Sequence, residues 1–161
     1  MAEPGDKITL KLPADDQWTL FKVTRRDLPE VLMANDALRG FEPREVFPWH
    51  LSIIIVAVGL AERGMPDPEE QETLNAIGDG LEDALVAALT EFGSPNVLSF
   101  ARSTWDGQRE LMFRVHDPEI ANAVLQAKIA SKTWERHWDF RMEEDRSWKL
   151  TAPIMALYPV S

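Results

Sequence analysis

The residues best suited to chemistry in this sequence are a histidine and an acidic run near the end of the chain. His137 precedes Glu143 and Asp145. A histidine paired with a carboxylate can act as a general base, and the same side chains can bind a divalent metal ion. Neither pairing has the i, i+4 spacing that places two ligands on one helix face, and the sequence offers no third ligand. Surface side chains without a catalytic role are the simpler interpretation. A hydrolase or metal-dependent enzyme using His137 with Glu143 or Asp145 is the alternative function.

Other catalytic motifs are missing from the sequence. The chain has no cysteine, which excludes cysteine nucleophiles, disulfides and thiolate zinc sites. Its serines lack the G-x-S-x-G nucleophile elbow. The glycines at Gly78 and Gly80 fall inside a predicted helix, whereas a phosphate-binding loop follows a strand. The sequence predicts no cofactor and favours a protein that is not an enzyme.

An acidic predicted helix is the strongest candidate for a binding surface. The segment from Met65 to Phe92 contains no lysine or arginine, and its carboxylates are Asp67, Glu69, Glu70, Glu72, Asp79, Glu82, Asp83 and Glu91. The face predicted to contact a basic protein partner is formed by Glu72, Asp79, Glu82 and Asp83. The alternative is a solvated outer face whose first acids are favoured by the helix dipole.

Composition and charge limit the class of protein. The chain has 161 residues and a formal net charge of −10, which argues against binding to nucleic acid or to an anionic membrane. The N-terminus has neither a basic start nor an apolar region typical of a signal peptide, so the cytoplasm is the expected compartment. We expect a single domain over residues 1–161, in which only residues 1–6 are disordered.

The elements that must position these residues are organised around Leu51–Val58. This run is apolar on both alternating faces, so we expect a central strand with Ile53 to Val56 enclosed by protein on either side. The clearest helix follows, with Asp67 as its N-cap. Its apolar stripe is predicted to be Leu74, Ile77, Leu81, Leu85, Ala88 and Phe92, with Gly93 as the stop.

A predicted hairpin joins Val97–Trp105 to Gln108–His116 through an Asp-Gly turn. In the register that this turn sets, the core face carries Leu98, Phe100, Leu111, Phe113 and Val115. The opposite face is expected to be solvated or to contact a partner, and it carries Ser99, Ala101, Ser103, Glu110, Met112 and Arg114.

The order of elements from Leu51 onward predicts an α+β fold. Strand, helix, strand, strand, helix and strand form a ferredoxin-like α/β plait over residues 51–145, with both helices on one face. An N-terminal hairpin of Ile8–Leu12 and Trp18–Thr24 is expected to add to the sheet. The second face needs a cover, which the hairpin, Arg25–Pro48 or a second copy in a homodimer would supply.

Four segments that mark turns, helix caps or the start of a strand are similar to those of a known protein family. They are Phe47–Leu51, Gly64–Glu70, Trp105–Glu110 and Glu143–Trp148. Together they resemble the bacterial family catalogued as domain of unknown function 695 (DUF695), over about Trp18 to Tyr158. Thr151 departs from the family pattern, in which an aromatic residue is expected. The resemblance implies a bacterial cytoplasmic protein and carries over no catalytic residue. Some relatives look joined to a domain similar to the regulator of ribonuclease E activity B, which implies a regulatory role.

These observations together favour a non-enzymatic binding or regulatory domain. It is expected to contact another protein through its acidic helix or through an uncovered sheet face.

Overall fold

A computed structural model describes residues 17–159 as an α+β fold. Within these residues, the strands are β1 (Trp18–Arg25), β2 (Leu28–Asn35), β3 (Trp49–Val56), β4 (Val97–Trp105), β5 (Gln108–Val115) and β6 (Trp138–Glu144). The helices are α1 (Pro68–Ala87), α2 (Pro118–Ser131) and the short α3 (Ala152–Met155). No helix in this part of the chain is both long and apolar enough to cross a membrane.

All six described strands form one antiparallel sheet in the order β1-β2-β4-β5-β3-β6. The apolar strand β3 lies between β5 and β6, as its composition predicts. Ile53 stands opposite Leu111 on one side and Phe140 on the other. Strand β1 also forms a hairpin with β2 that the sequence did not predict. The predicted strand Ile8–Leu12 lies outside the described residues.

Capping residues set the start of both long helices. The Asp67 carboxylate accepts a hydrogen bond from the Glu70 N–H at the start of α1, as the capping-box spacing predicts. Asp117 caps α2 in the same way. The predicted end of α1 is wrong, because the helix stops at Ala87. Phe92 therefore leaves the apolar stripe and is 83% exposed.

Two glycines allow α1 to pack closely against its neighbours. A Cβ on Gly80 would lie 2.7 Å from the Trp134 ring, and one on Gly78 would lie 3.0 Å from an Arg102 nitrogen. The close contacts explain why the helix tolerates glycines that cost about 1 kcal/mol each in an exposed helix interior.

A β-bulge changes the register of the β4–β5 hairpin. Arg102 stands opposite Leu111 in the register that the Asp-Gly turn sets, but the register shifts between Ser99 and Ala101. The extra residue, Phe100, turns the preceding part of β4 over. The prediction that Leu98 and Phe100 share a face with Leu111, Phe113 and Val115 is therefore wrong, and the two groups belong to opposite cores.

Two hydrophobic cores cover opposite faces of the sheet. The first core lies under α1 and α2 and consists of Leu51, Ile53, Ile55, Ala57, Leu74, Ile77, Leu81, Leu85, Val97, Leu111, Phe113, Val115, Ala121 and Leu125. The second core consists of Leu32, Ala34, Leu38, Phe41, Phe47, Leu98, Phe100, Ala101, Met112, Trp148, Ile154 and Tyr158. Part of its cover comes from the predicted segment Arg25–Pro48, and the rest comes from the C-terminal residues 148–158.

Two predictions about which side chains are buried are wrong, one for the β4–β5 hairpin and one for β3. The face of the β4–β5 hairpin that was expected to be solvated or to contact a partner is covered, since Ser103, Met112 and Arg114 are all buried. The enclosure of β3 is only partial. Ile53 and Ile55 are fully buried under the helices, whereas Ile54 on the other face is 36% exposed.

The two cores are offset across the sheet. The first covers the helix side of β3, β5 and β6, and the second covers the opposite side of β1, β2, β4 and β5. Strands β1 and β2 therefore carry apolar side chains that no described helix covers. Leu20 is 53% exposed and Met33 is 39% exposed on that side.

Candidate binding groove

A groove of about 510 Å³ lies between α1 and the uncovered helix side of β1 and β2. One wall is apolar and is formed by Trp18, Leu20, Val31 and Met33. The strand register explains this wall, because Leu20 stands opposite Met33 in the β1–β2 pair. We call these four residues the apolar strip.

The other wall of the groove is polar and comes from α1. Gln71, Asn75, Asp79 and Glu82 recur at steps of three and four residues, so they form one stripe on the helix. The buried stripe of the same helix packs against the first core. The acidic helix and the apolar strip therefore face each other across a single opening.

Two arginines form the floor of the groove. Arg102 on β4 contacts two carboxylates through Nη2, at 3.1 Å from Asp79 Oδ1 and 3.2 Å from Glu82 Oε1. Arg109 on β5 is only 5% exposed, and its pKa is lowered to about 10, first by burial and then by the charge of Arg102. The strand register places Met33 opposite Arg102 and Thr104 opposite Arg109.

The family model described as a family of unknown function (DUF695) matches residues 4–151. The chain belongs to the DUF695 family. No curated protein matches it. Membership confirms the resemblance, while the family description assigns no activity.

Only part of the predicted acidic face of this DUF695 protein lies in the groove. Asp79 and Glu82 line the groove and are already paired with Arg102. Glu72 and Asp83 are exposed two turns before and one turn after Asp79, and neither lines the groove. The structure therefore brings two of these carboxylates into the groove and leaves the other two exposed elsewhere on α1.

The predicted histidine–carboxylate group is not brought together. His137 directly precedes β6, and Glu143 lies near the other end of that strand, about 20 Å away at the usual rise per residue. Asp145 is fully buried beside Arg114. Within residues 17–159, no group of three His, Cys, Asp or Glu side chains is placed to hold a metal ion.

A second polar group lies on the opposite face of the sheet and was not predicted. Ser52 Oγ donates a hydrogen bond to Glu110 Oε2 at 2.5 Å, beside His50, in an opening of about 200 Å³. Burial, together with the charge of Arg114, lowers the pKa of His50 to about 4, so the ring is neutral at pH 7. Its Nδ1 lies 3.4 Å from an Arg114 nitrogen. Since Ser52 bonds to a carboxylate and not to this imidazole, the group lacks the base that activates a serine nucleophile.

The arginines of the groove were also missed, although the sequence contains a signal for Arg102. The Asp-Gly turn places Arg102 opposite Leu111, on the side of β4 that faces the helices. An arginine at such a position needs an acidic or polar partner on the covering helix. The stripe of Asp79 and Glu82 on α1 provides that partner.

Proposed function

We propose that this DUF695 protein is a non-enzymatic binding domain whose groove docks an extended segment of a basic partner protein. One observation carries the proposal: the apolar strip, which no described helix covers, lies directly beside the acidic helix α1. The acidic helix favoured by the sequence is thus one wall of the site, and an apolar surface that the sequence did not predict is the other.

The apolar strip supports a peptide as occupant. Leu20 and Met33 expose much of their side chains, and burial of apolar surface contributes about 25 cal/mol per Å². Alternate side chains of an extended segment point the same way, so every second residue of the segment can pack on the strip.

The charge of α1 supports a basic partner. Beyond the ion pairs of the floor, Glu72 and Asp83 lie exposed on α1 within two turns of Asp79, and the whole chain carries a net charge of −10. Charge complementarity of this kind raises the association rate and disfavours acidic competitors.

We also propose that residues 51–145 form the ferredoxin-like plait. The order β4-β5-β3-β6, with α1 following β3 and α2 following β5, supports this assignment. The β1–β2 hairpin would then extend the plait beyond the reach of its helices, which is the geometric origin of the groove.

Fluorescence anisotropy with synthetic peptides tests the binding function. The probes are fluorescein-labelled nonapeptides that alternate leucine with lysine or with glutamate, each made as a free acid and as an amide. We expect the lysine series to bind at least tenfold more tightly than the glutamate series. Leu20→Asp is expected to weaken that binding at least tenfold, because it places a charge in the apolar strip.

Phe92→Asp is the matched control, because Phe92 is exposed and does not line the groove, so its replacement should leave binding unchanged. Equal binding by the Leu20→Asp and Phe92→Asp variants would refute the assignment of the groove. Sedimentation velocity tests a second copy as the occupant. If the wild-type protein is a dimer and Leu20→Asp dissociates it, the occupant of the groove is a second copy of the chain and not a basic partner.

A further inference from the structure

The guanidinium of Arg109 is held entirely by neutral groups. Its Nε donates to Thr104 Oγ1 at 2.8 Å, Nη1 donates to Asn75 Oδ1 at 2.8 Å, and Nη2 donates to Gln71 Oε1 at 2.7 Å. A guanidinium has five N–H donors. Among residues 17–159, one N–H on each terminal nitrogen therefore has no acceptor.

The charge of Arg109 is likewise not neutralised by an ion pair with any described residue. The nearby carboxylates of Asp79 and Glu82 bind Arg102 instead. Buried charges in proteins are normally paired, because an isolated one loses its hydration without compensation. The floor of the groove thus holds a buried positive charge with two unused donors, in a chain that is otherwise strongly acidic.

A carboxylate matches these donors. It accepts two N–H groups of a guanidinium side by side, and it carries a single negative charge. A phosphate dianion would bring a second negative charge close to Asp79 and Glu82, which line the same groove. The neighbouring apolar strip provides a surface for a hydrophobic group attached to the carboxylate.

We propose that Arg109 binds the C-terminal carboxylate of the docked partner segment, with the last apolar side chain of that segment packed on Leu20 and Met33. This inference rests on the proposed function. It adds the direction in which the peptide lies in the groove and requires a free carboxylate at its C-terminus. A free carboxyl terminus ending in a hydrophobic residue is thus the ligand, and the basic residues lie upstream along α1.

The test compares the acid and amide forms of the same lysine–leucine nonapeptide, which leaves the protein unchanged. We expect the amide to bind at least tenfold more weakly than the acid to the wild-type protein. In an Arg109→Gln variant the two forms should bind equally, since the charge that distinguishes them is gone. Thermal unfolding of the variant checks that it remains folded.

The outcomes separate the two proposals. Equal binding of acid and amide to the wild-type protein, with loss of both on Leu20→Asp, would overturn the carboxylate assignment and leave the peptide groove standing. Binding of neither form would overturn both. Octanoate binding as tightly as the peptide acid would assign Arg109 to a small carboxylate and overturn the assignment to a protein terminus. Displacement of the acid by inorganic phosphate at equal concentration would overturn the choice of a carboxylate.

Discussion

Replacing Asp145 with alanine is expected to lower the free energy of unfolding by about 3–5 kcal/mol. Asp145 and Arg114 are both fully buried, and their side chains are 3.0 Å apart. Asp145 also accepts hydrogen bonds from the backbone N–H groups of Lys149 and Leu150. Alanine would leave a buried guanidinium without its counter-charge and would free both backbone donors at the start of the C-terminal segment.

Urea unfolding followed by tryptophan fluorescence measures this effect. Glu144→Ala is the matched control, because it removes a neighbouring carboxylate whose partner, Arg146, is largely exposed. We expect that control to change the free energy of unfolding by less than about 1 kcal/mol. Similar stabilities for the Asp145→Ala and Glu144→Ala variants would contradict the role of the buried pair.

The buried pair matters because it fastens the cover of the second core. Trp148 stacks on Phe41, with ring centroids 5.8 Å apart, and its Nε1 donates to the Phe47 carbonyl. Arg114 donates to the same carbonyl and to that of Asp145. The ion pair therefore joins the sheet to both segments that cover its second face.

The second large effect is a loss of stability in mild acid, caused by His50. Burial lowers the pKa of His50 to about 4, the charges of Arg114 and Arg141 act in the same direction, and Asp145 opposes them. Between pH 6.5 and pH 4, the unfolded chain binds a proton at this residue that the folded chain does not. The free energy of unfolding should therefore fall by about 3 kcal/mol as the pH drops across this range.

Urea unfolding at several pH values tests the role of His50. His50→Gln should remove most of the slope between pH 6.5 and pH 4, because glutamine does not titrate. His137→Gln, which changes an exposed histidine, should keep it. Asp145 contributes to the pH dependence only at lower pH. Burial alone would raise the pKa of Asp145, but its hydrogen bonds outweigh that effect and lower it. The stability that this carboxylate gives the folded protein is therefore lost only below about pH 4. A slope unchanged in His50→Gln would refute the explanation.

Local signals in the sequence predict most of the elements, and long-range contacts decide the rest. The cap of Asp67 and the Asp106-Gly107 turn act within a few residues, and both are confirmed. The bulge places Phe100 in the second core with Phe47 and Trp148, which are distant in the chain. The end of α1 was missed because Gly93 suits a helix stop, although the helix ends earlier, at Ala87.

The groove was predicted only in part for a related reason. The sequence shows that α1 is acidic, and Asp79 and Glu82 do line the site. It does not show that β2 pairs with β4, and this pairing places the apolar strip beside Arg102. A buried guanidinium with neutral partners, such as Arg109, is likewise visible only once the strands and the helix are in register.

Amide NMR mapping of the bound lysine–leucine peptide tests most directly whether the groove beside α1 is the binding site. We predict that chemical-shift changes concentrate on β1, β2 and the groove stripe from Gln71 to Glu82, with the largest changes near Leu20 and Met33. Changes centred on β6 or on the C-terminal segment, with none along β1 and β2, would contradict the proposed function.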